Sequence, residues 1–217
     1  MDEFSQRLPR TLWIGVILFL AVICVAYMLS LSELNNLRRP LPVLGHVADF
    51  TLTNQDGQLT TLADLTSHVW VADIVFTRCA GPCPTMSAQM KSLQDALPPA
   101  SRAKLVTLTT DPDYDSPPVM KKHGERFGAN FNRWTFLTGT KAQIAGLASD
   151  SLKLSALPVK PEDRKNDADL FIHTTIFVVV DKRARLRGSF ETMGEGIEWT
   201  NVQPRIIATI RQLERKR

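Results

Sequence analysis

The chain begins with one long apolar stretch. From Thr11 to Ser32 no position carries a charge, and no polar face interrupts the apolar residues. A helix of that length crosses the hydrocarbon core of a bilayer, so the stretch predicts a transmembrane anchor. A cleaved signal peptide is the alternative, but its apolar region is shorter and ends in an A-x-A-like site, which is missing here. Residues 1–10 are then an N-terminal tail, Glu33–Gly45 an extended tether and residues 46–217 a folded domain.

Within the folded domain, the pattern alternates between strands and helices. The nearly continuous apolar run Val69–Phe76 is typical of a central strand that is buried on both faces. Apolar residues at helical spacing follow it until two prolines, Pro98 and Pro99, end the helix. The other predicted elements are a hairpin with its turn at Asn54–Gly57, strands at Lys104–Thr110, Trp134–Thr138 and Phe171–Val180, a helix capped by Ser116 with Pro117 at its first position, a helix at Lys141–Asp150, a strand at Arg185–Phe190 and a closing helix at Val202–Arg217. This alternation predicts an α/β fold with helices on both faces of the sheet.

Charge narrows the possible partners only slightly. Beyond the apolar stretch there are 26−2 basic and 22−2 acidic residues, so the domain carries the whole net charge of +4. Such mild basicity favours an acidic protein or membrane surface, although a scattered solvated face explains it equally well. Two arginines precede the stretch and two follow it, so charge does not decide its orientation. No basic run with interleaved aromatic residues is present, which argues against nucleic acid as a partner.

Two of the three cysteines lie together in the sequence FTRCAGPCPTM. Cys79 and Cys83 are placed where the buried strand ends and the next helix begins, so the helix N-terminus is expected to stabilise a thiolate. Their spacing, C-x3-C, is one residue longer than the redox dithiol C-x2-C. A redox disulfide, a metal site and a buried structural pair are all open at this point. The third cysteine, Cys24, is in the apolar stretch and is expected to be a lipid-facing or packing thiol.

Four segments together resemble the Sco/SenC family, the copper-handling proteins of cytochrome c oxidase assembly. They are FTRCAGPCPTM, LTTDPDYDSPPVMKKHGERFG, WTFLTG and IHTTIFVVVD, and the resemblance extends over residues 42–213. It implies a thioredoxin-like fold, a central mixed sheet flanked by helices, on a single-pass membrane anchor, facing the bacterial periplasm or the mitochondrial intermembrane space. It also implies one copper ion per domain, bound by Cys79, Cys83 and His173. The implied recipient is the CuA-bearing subunit of cytochrome c oxidase.

The chemistry of these residue types agrees with the copper site that the resemblance implies. Thiolates are soft ligands that suit Cu(I), and an imidazole from His173 completes a three-coordinate site. Structural zinc usually takes four protein ligands, and no fourth Cys or His is obvious beside these three. The oxidation state, Cu(I) or Cu(II), stays open.

The alternative function is that of an enzyme. The same pair, Cys79 and Cys83, suits a thiol–disulfide oxidoreductase that reduces the cysteines of the CuA site before the metal arrives. Thioredoxins carry a cis-proline at the position that corresponds to Thr174, the residue after His173 in this chain. This difference argues against ordinary disulfide exchange, and a requirement for His173 would separate the two functions.

Other residues with metal-binding chemistry receive different interpretations. Met86 and Met90 are soft donors, but their helical spacing predicts core positions. Asp111, Asp113 and Asp115 resemble the start of a calcium loop, yet Ser116 and Lys122 replace its Gly and Glu, so that interpretation fails. These aspartates are expected to end a strand and charge the next helix start, with Asp111 and Asp115 at family positions that border the site. His46, His68 and His123 are predicted to lie on the surface, and the polar segment Leu157–Phe171 is predicted to be a mobile loop that closes over the metal or contacts a partner.

Overall fold

The computed structural model describes residues 10–38, 40–154, 156–158 and 171–215. The chain divides into two units, Met1–Pro40 and Leu41–Arg217. The first unit contains helix α1, Arg10–Arg38, whose stretch Trp13–Ser30 is long and apolar enough to cross a membrane, by length and composition alone. The helix continues through the first six residues of the predicted tether, because residues 33–38 contain no helix breaker and the next proline after the helix begins is Pro40. The extended conformation expected from Glu33 onward is therefore wrong for these residues.

The second unit is built on an eight-stranded mixed sheet with the strand order β1-β10-β9-β4-β5-β6-β2-β3. Strands β4, β5 and β6 are parallel, and the other neighbours in the sheet are antiparallel. The strands are β1 Gly45–His46, β2 Thr51–Asn54, β3 Leu59–Thr61, β4 Trp70–Val75, β5 Lys104–Thr109, β6 Trp134–Thr138, β9 Ile176–Val180 and β10 Arg185–Glu191. The predicted hairpin is confirmed, since β2 pairs with β3 around a turn in which Gly57 has a positive φ of 79°.

Helices cover both faces of this sheet, as predicted. Every residue of β4 is buried, and alternate residues point to opposite faces. The helices are α2 Leu62–Leu65, α3 Cys83–Ala96, α4 Pro117–Arg126, α5 Lys141–Ala145 and α6 Trp199–Arg215. Val71 and Val75 pack with α3, α4 and α6 on one face, whereas Trp70, Ala72 and Ile74 pack with α2 and α5 on the other. Met86 and Met90 are fully buried on α3, which confirms their predicted core positions.

The predicted long strand Phe171–Val180 is wrong, because the structure divides it. Its first part, β8 Phe171–His173, pairs with β7 Ala156–Pro158 in a separate two-stranded sheet. Its second part is β9 of the main sheet. Thr175 lies between them, and its carbonyl accepts hydrogen bonds from both the backbone N–H (2.8 Å) and the hydroxyl (2.9 Å) of Thr192. The two halves therefore pair with different strands, and the predicted strand is interrupted between His173 and Ile176.

Two helix predictions also need adjustment. The helix expected at Lys141–Asp150 ends as an α-helix at Ala145 and continues as a π-helical turn, Gly146–Ser151. The closing helix α6 begins at Trp199, three residues before its predicted start at Val202, and contains Pro204. Pro204 is the sixth residue of this helix, so the helix lacks the hydrogen bond that an N–H at this position would donate to the carbonyl of Thr200.

A buried ion pair fastens the beginning of the second unit to β10. The Arg187 guanidinium donates to Asp181 Oδ2 at 2.7 Å and to the backbone carbonyls of Leu41 and Pro42. Both side chains of the pair are only 6% exposed. Burial would raise the pKa of Asp181, but hydrogen bonds from Arg185 and Arg187 outweigh it and lower the pKa to about 2.

Candidate metal centre

The two cysteines lie in the loop that connects β4 to α3. The loop begins with a turn in which the Cys79 N–H donates to the Phe76 carbonyl at 3.2 Å. Cys83 is the first residue of α3, and Pro82 and Pro84 flank it. A proline is tolerated at a helix start because the first N–H groups have no partner inside the helix, and the Met86 N–H donates back to the Pro82 carbonyl at 3.0 Å. The sequence therefore places both thiols at the N-terminus of α3, as predicted.

The two thiols differ in exposure and in protonation. Both are reduced, with Cys83 only 1% exposed and Cys79 partly exposed. The Gly81 N–H donates to Cys79 Sγ at 3.4 Å. A hydrogen bond from Cys83 to Cys79, together with burial, raises the pKa of Cys83 far above its ordinary value. Burial and this hydrogen bond oppose ionisation of Cys83, so the expected stabilisation of a thiolate by the helix N-terminus stays a prediction.

A buried carboxylate lies beneath this pair, and the sequence analysis did not single it out. Asp73 is fully buried in β4 and alternates with Val71 and Val75, which places it on the face that packs against α3. Its Oδ1 accepts a hydrogen bond from Thr107 Oγ1 at 2.6 Å, and its charge adds to the rise in the pKa of Cys83. The sequence indicates this carboxylate, because Asp73 is the one acidic residue inside the apolar run Val69–Phe76.

A second buried carboxylate holds the start of the cysteine loop. Asp115 is fully buried and accepts hydrogen bonds from the Thr77 N–H at 3.1 Å, from the Thr77 hydroxyl and from Thr109 Oγ1 at 2.5 Å. Burial raises the pKa of Asp115, and these hydrogen bonds oppose the rise. Because Thr77 lies two residues before Cys79, Asp115 ties the cysteine loop to the end of β5.

Asp111 holds Arg78, the residue that precedes Cys79, in place. Asp111 Oδ2 accepts from Arg78 Nη2 at 2.5 Å, and the Arg78 guanidinium lies 4.2 Å from the ring centroid of Tyr114. Asp111 is buried, whereas the Arg78 side chain is 43% exposed. Asp111 and Asp115 therefore both border the cysteines, while Asp113 pairs with Lys141 at 2.5 Å on the surface.

The third predicted ligand, His173, is described only by its backbone. It is the last residue of β8, opposite Ala156. Strand β9 begins three residues later, and because it runs antiparallel to β4, its first residues lie at the end of β4 that leads into the cysteine loop. Thr175 is also linked to α3 through Thr192, whose carbonyl accepts from Gln89 Nε2 at 3.0 Å. The backbone therefore approaches the cysteine end of the sheet, but the ligand role of His173 stays a prediction.

Among the side chains that the structure describes, no group of three His, Cys, Asp or Glu residues is arranged to hold a metal ion. The side chain of His173 is outside that set, and so are residues 159–170 of the predicted loop Leu157–Phe171. Within the described residues, the two cysteines are the part of the predicted triad that the fold brings together.

The other histidines only partly follow the surface prediction. His46 is exposed and His68 is half-buried. The prediction is wrong for His123, which is 8% exposed, with its ring 4.9 Å from that of Phe127 and its Nε2 2.9 Å from Ser87 Oγ. Burial, with a smaller effect from Arg126, lowers the pKa of His123 to about 4. His123 is therefore a neutral core residue that joins α3 to α4.

The fold and the cysteine loop define a thioredoxin-like protein with a dithiol at the N-terminus of a helix. More narrowly, the chain belongs to the SCO1/SenC family, whose model matches residues 42–207. The SCO1 protein homolog of Bacillus subtilis is 36% identical over 141 residues, which are 64% of this chain and 70% of the relative.

Solved structures agree with this assignment. BsSco, a Sco family cytochrome c oxidase assembly protein with an identified disulfide switch, is 30% identical with a TM-score of 0.67, over 82% of this chain and all of that chain. Copper-bound ScoI of Bradyrhizobium japonicum is 21% identical with a TM-score of 0.63, over 77% and 99% of the two chains, and supports the fold.

Proposed function

We propose that this chain is a membrane-anchored copper chaperone that delivers copper to the CuA centre of cytochrome c oxidase. One observation carries the proposal: Cys79 and Cys83 lie within hydrogen-bonding distance of each other, in the loop and first residue of a helix, in a member of the SCO1/SenC family. Two adjacent thiols of this kind suit a soft cation such as Cu(I). The cargo is one copper ion per domain.

The ligand set that we propose is Cys79, Cys83 and His173. Because thiols bind copper as thiolates and burial favours the protonated form of Cys83, copper uptake at this pair releases protons and therefore strengthens as pH rises. Cys79 is the more exposed sulfur, so copper reaches and leaves the site from its side. Asp115 and Asp111 hold the cysteine loop in place before copper binds. Copper binding therefore loses less conformational entropy than it would with a disordered loop.

The anchor in this proposal is the apolar stretch of α1, residues 11–32. Its exposed apolar side chains include Phe19, Val22 and Met28, each more than half exposed. Contact with lipid would remove that surface from water. We propose a single-pass arrangement with the domain in the periplasm, or in the intermembrane space if the protein is mitochondrial.

A second function is favoured by the same pair of thiols. Only three residues separate Cys79 from Cys83, and the relative BsSco is described with a disulfide switch. A thiol–disulfide oxidoreductase that reduces the cysteines of the CuA site would use this pair without a metal. Thiol exchange does not require the imidazole of His173, whereas copper binding with nitrogen coordination does.

The experiment that separates the two functions compares His173→Ala with Cys79→Ser in cells that depend on this protein. If copper delivery is the task, both variants lack assembled CuA oxidase. His46→Ala is the matched control, because it removes an exposed histidine of the same domain. Normal oxidase assembly in His173→Ala, together with failure in Cys79→Ser, would overturn the chaperone function in favour of the reductase.

A further inference from the structure

A cleft of about 420 Å³ lies at the end of the sheet that is opposite the cysteines. Strands β4, β5 and β6 are parallel, with Trp70 opposite Lys104 and Leu105 opposite Trp134, so the beginnings of all three strands lie side by side. The cysteine loop follows the other end of β4. The cleft is lined by residues that lead into these strands: His68, Ser101, Arg102, Ala103, Lys104, Asn132 and Arg133.

The lining contains three cations and no carboxylate. Arg102, Lys104 and Arg133 form no ion pair in the part of the chain that the structure describes. Two of them are held by backbone carbonyls, since Lys104 Nζ donates to Asn132 O at 2.8 Å and Arg133 Nη2 donates to Ser101 O at 2.9 Å. A carbonyl orders the side chain and leaves its charge uncompensated. The cleft is therefore a preformed positive site.

One carboxylate comes close to this cleft, and its hydrogen bonds are directed elsewhere. Glu214 Oε1 accepts from the Ser101 hydroxyl at 3.0 Å and from the Arg102 N–H at 2.8 Å. It thereby fixes the loop that begins β5 and makes no ion pair with a guanidinium or ammonium group of the cleft. Within the described residues, the cations of the lining therefore have no paired acid.

Two buried polar atoms of the lining have no hydrogen-bond partner among the described residues. They are Nδ1 of His68 and Nη1 of Arg133. Such atoms are rare in folded proteins, because leaving a buried polar atom unpaired is unfavourable. Both belong to residues that line the cleft.

We infer that this cleft binds a phosphate-class oxyanion through Arg102, Lys104 and Arg133. Guanidinium groups match the oxygens of phosphate in pairs, and an ammonium group adds a point charge. Three cations, two at the beginning of β5 and one at the beginning of β6, suit an anionic phosphate group. A phospholipid head group and free phosphate share this chemistry. The inference is independent of copper binding, since the cleft and the cysteines lie at opposite ends of the parallel strands.

The test is a calorimetric titration of the full chain in a neutral detergent at constant ionic strength, with two probes. Inorganic phosphate represents the free anion, and glycerophosphoglycerol represents the phosphodiester head group of phosphatidylglycerol. We expect saturable binding of at least one probe that is roughly tenfold weaker in the double variant Arg102→Gln with Lys104→Gln, because two charge-assisted contacts are lost. Tighter binding of the diester identifies the lipid head group as the source, and tighter binding of inorganic phosphate identifies the free anion.

The matched control is Lys122→Gln with Arg205→Gln, which removes the same charge from two exposed positions outside the cleft. It should bind the probe like the unmodified chain. Both double variants should also keep their full copper stoichiometry. Absence of saturable binding for both probes, or an equal loss in the cleft variant and the control, would overturn the inference, because the charge would then act only as a diffuse field.

Discussion

Replacing Asp115 by alanine should destabilise the domain by about 3 kcal/mol. The Thr77 N–H loses its acceptor and cannot rotate to another, which costs about 1–3 kcal/mol. The hydroxyls of Thr77 and Thr109 each lose a hydrogen bond worth about 1 kcal/mol net. Burial of the Asp115 carboxylate is itself unfavourable and raises its pKa. The alanine variant no longer buries a carboxylate, which offsets roughly 1 kcal/mol of the loss.

The assay is urea unfolding of the full chain in neutral detergent, followed by tryptophan fluorescence, where the loss corresponds to a midpoint shift of about 1.5 M. Asp115→Asn keeps one oxygen for the Thr77 N–H and should lose less than half as much. The control is Asp113→Ala, because Asp113 is 71% exposed and its ion pair with Lys141 should contribute at most about 1 kcal/mol. Cu(I) affinity should fall with Asp115→Ala and not with the control. Equal unfolding midpoints for Asp115→Ala and Asp113→Ala would refute the proposed anchoring of the cysteine loop.

Three further results are expected. Between about pH 6.5 and 4 the unfolded chain binds a proton at His123 that the folded chain does not, so the free energy of unfolding should fall by about 3 kcal/mol as pH decreases. His123→Gln should reduce this pH dependence in urea unfolding. Arg187→Met should cost about 3 kcal/mol at pH 7, because buried Asp181 loses one of its two arginine partners and keeps Arg185. The difference should shrink as pH falls from about 4 towards 2, and a pH-independent difference would contradict the ion-pair account. Mild oxidation should join Cys79 to Cys83 and expel copper, as mass spectrometry and metal analysis would show; an oxidised protein that retains copper would contradict it.

The local pattern of the sequence was enough to predict the centre of the fold. The run Val69–Phe76 has no polar face apart from Asp73, so it had to be covered on both sides, and the structure buries every residue of β4. Its position also placed Cys79 and Cys83 between that strand and a helix. The prolines Pro98 and Pro99 marked the end of the helix α3, which the structure ends at Ala96. These predictions depended on neighbours along the chain.

Predictions that depended on distant partners were less successful. The run Phe171–Val180 looks like one strand, but β8 pairs with β7 and β9 pairs with β4, and no local pattern distinguishes these partners. His123 was assigned to the surface, since the sequence does not show that α4 packs its ring against Phe127 and Ser87.

The candidate site shows the same division. The dithiol followed from its position between strand and helix, whereas the ligand role of His173 came from family resemblance. Asp73 was visible as a lone acid in an apolar run, but its partner Thr107 lies 34 residues away. Asp115 was noted only as a residue near the site, and its hydrogen bonds to the cysteine loop emerge from the packing of β4 beside β5.

The most direct test of the account is a Cu(I) titration of the reduced full chain in neutral detergent against a chromophoric Cu(I) chelator. The account predicts one tightly bound Cu(I) per chain, near loss of binding in Cys79→Ser and in Cys83→Ser, and only partial weakening in His173→Ala, because two thiolates alone still bind Cu(I). Cys24→Ser is the thiol control and should keep the full stoichiometry. Tight binding of one Cu(I) that survives the loss of both Cys79 and Cys83 would contradict the account.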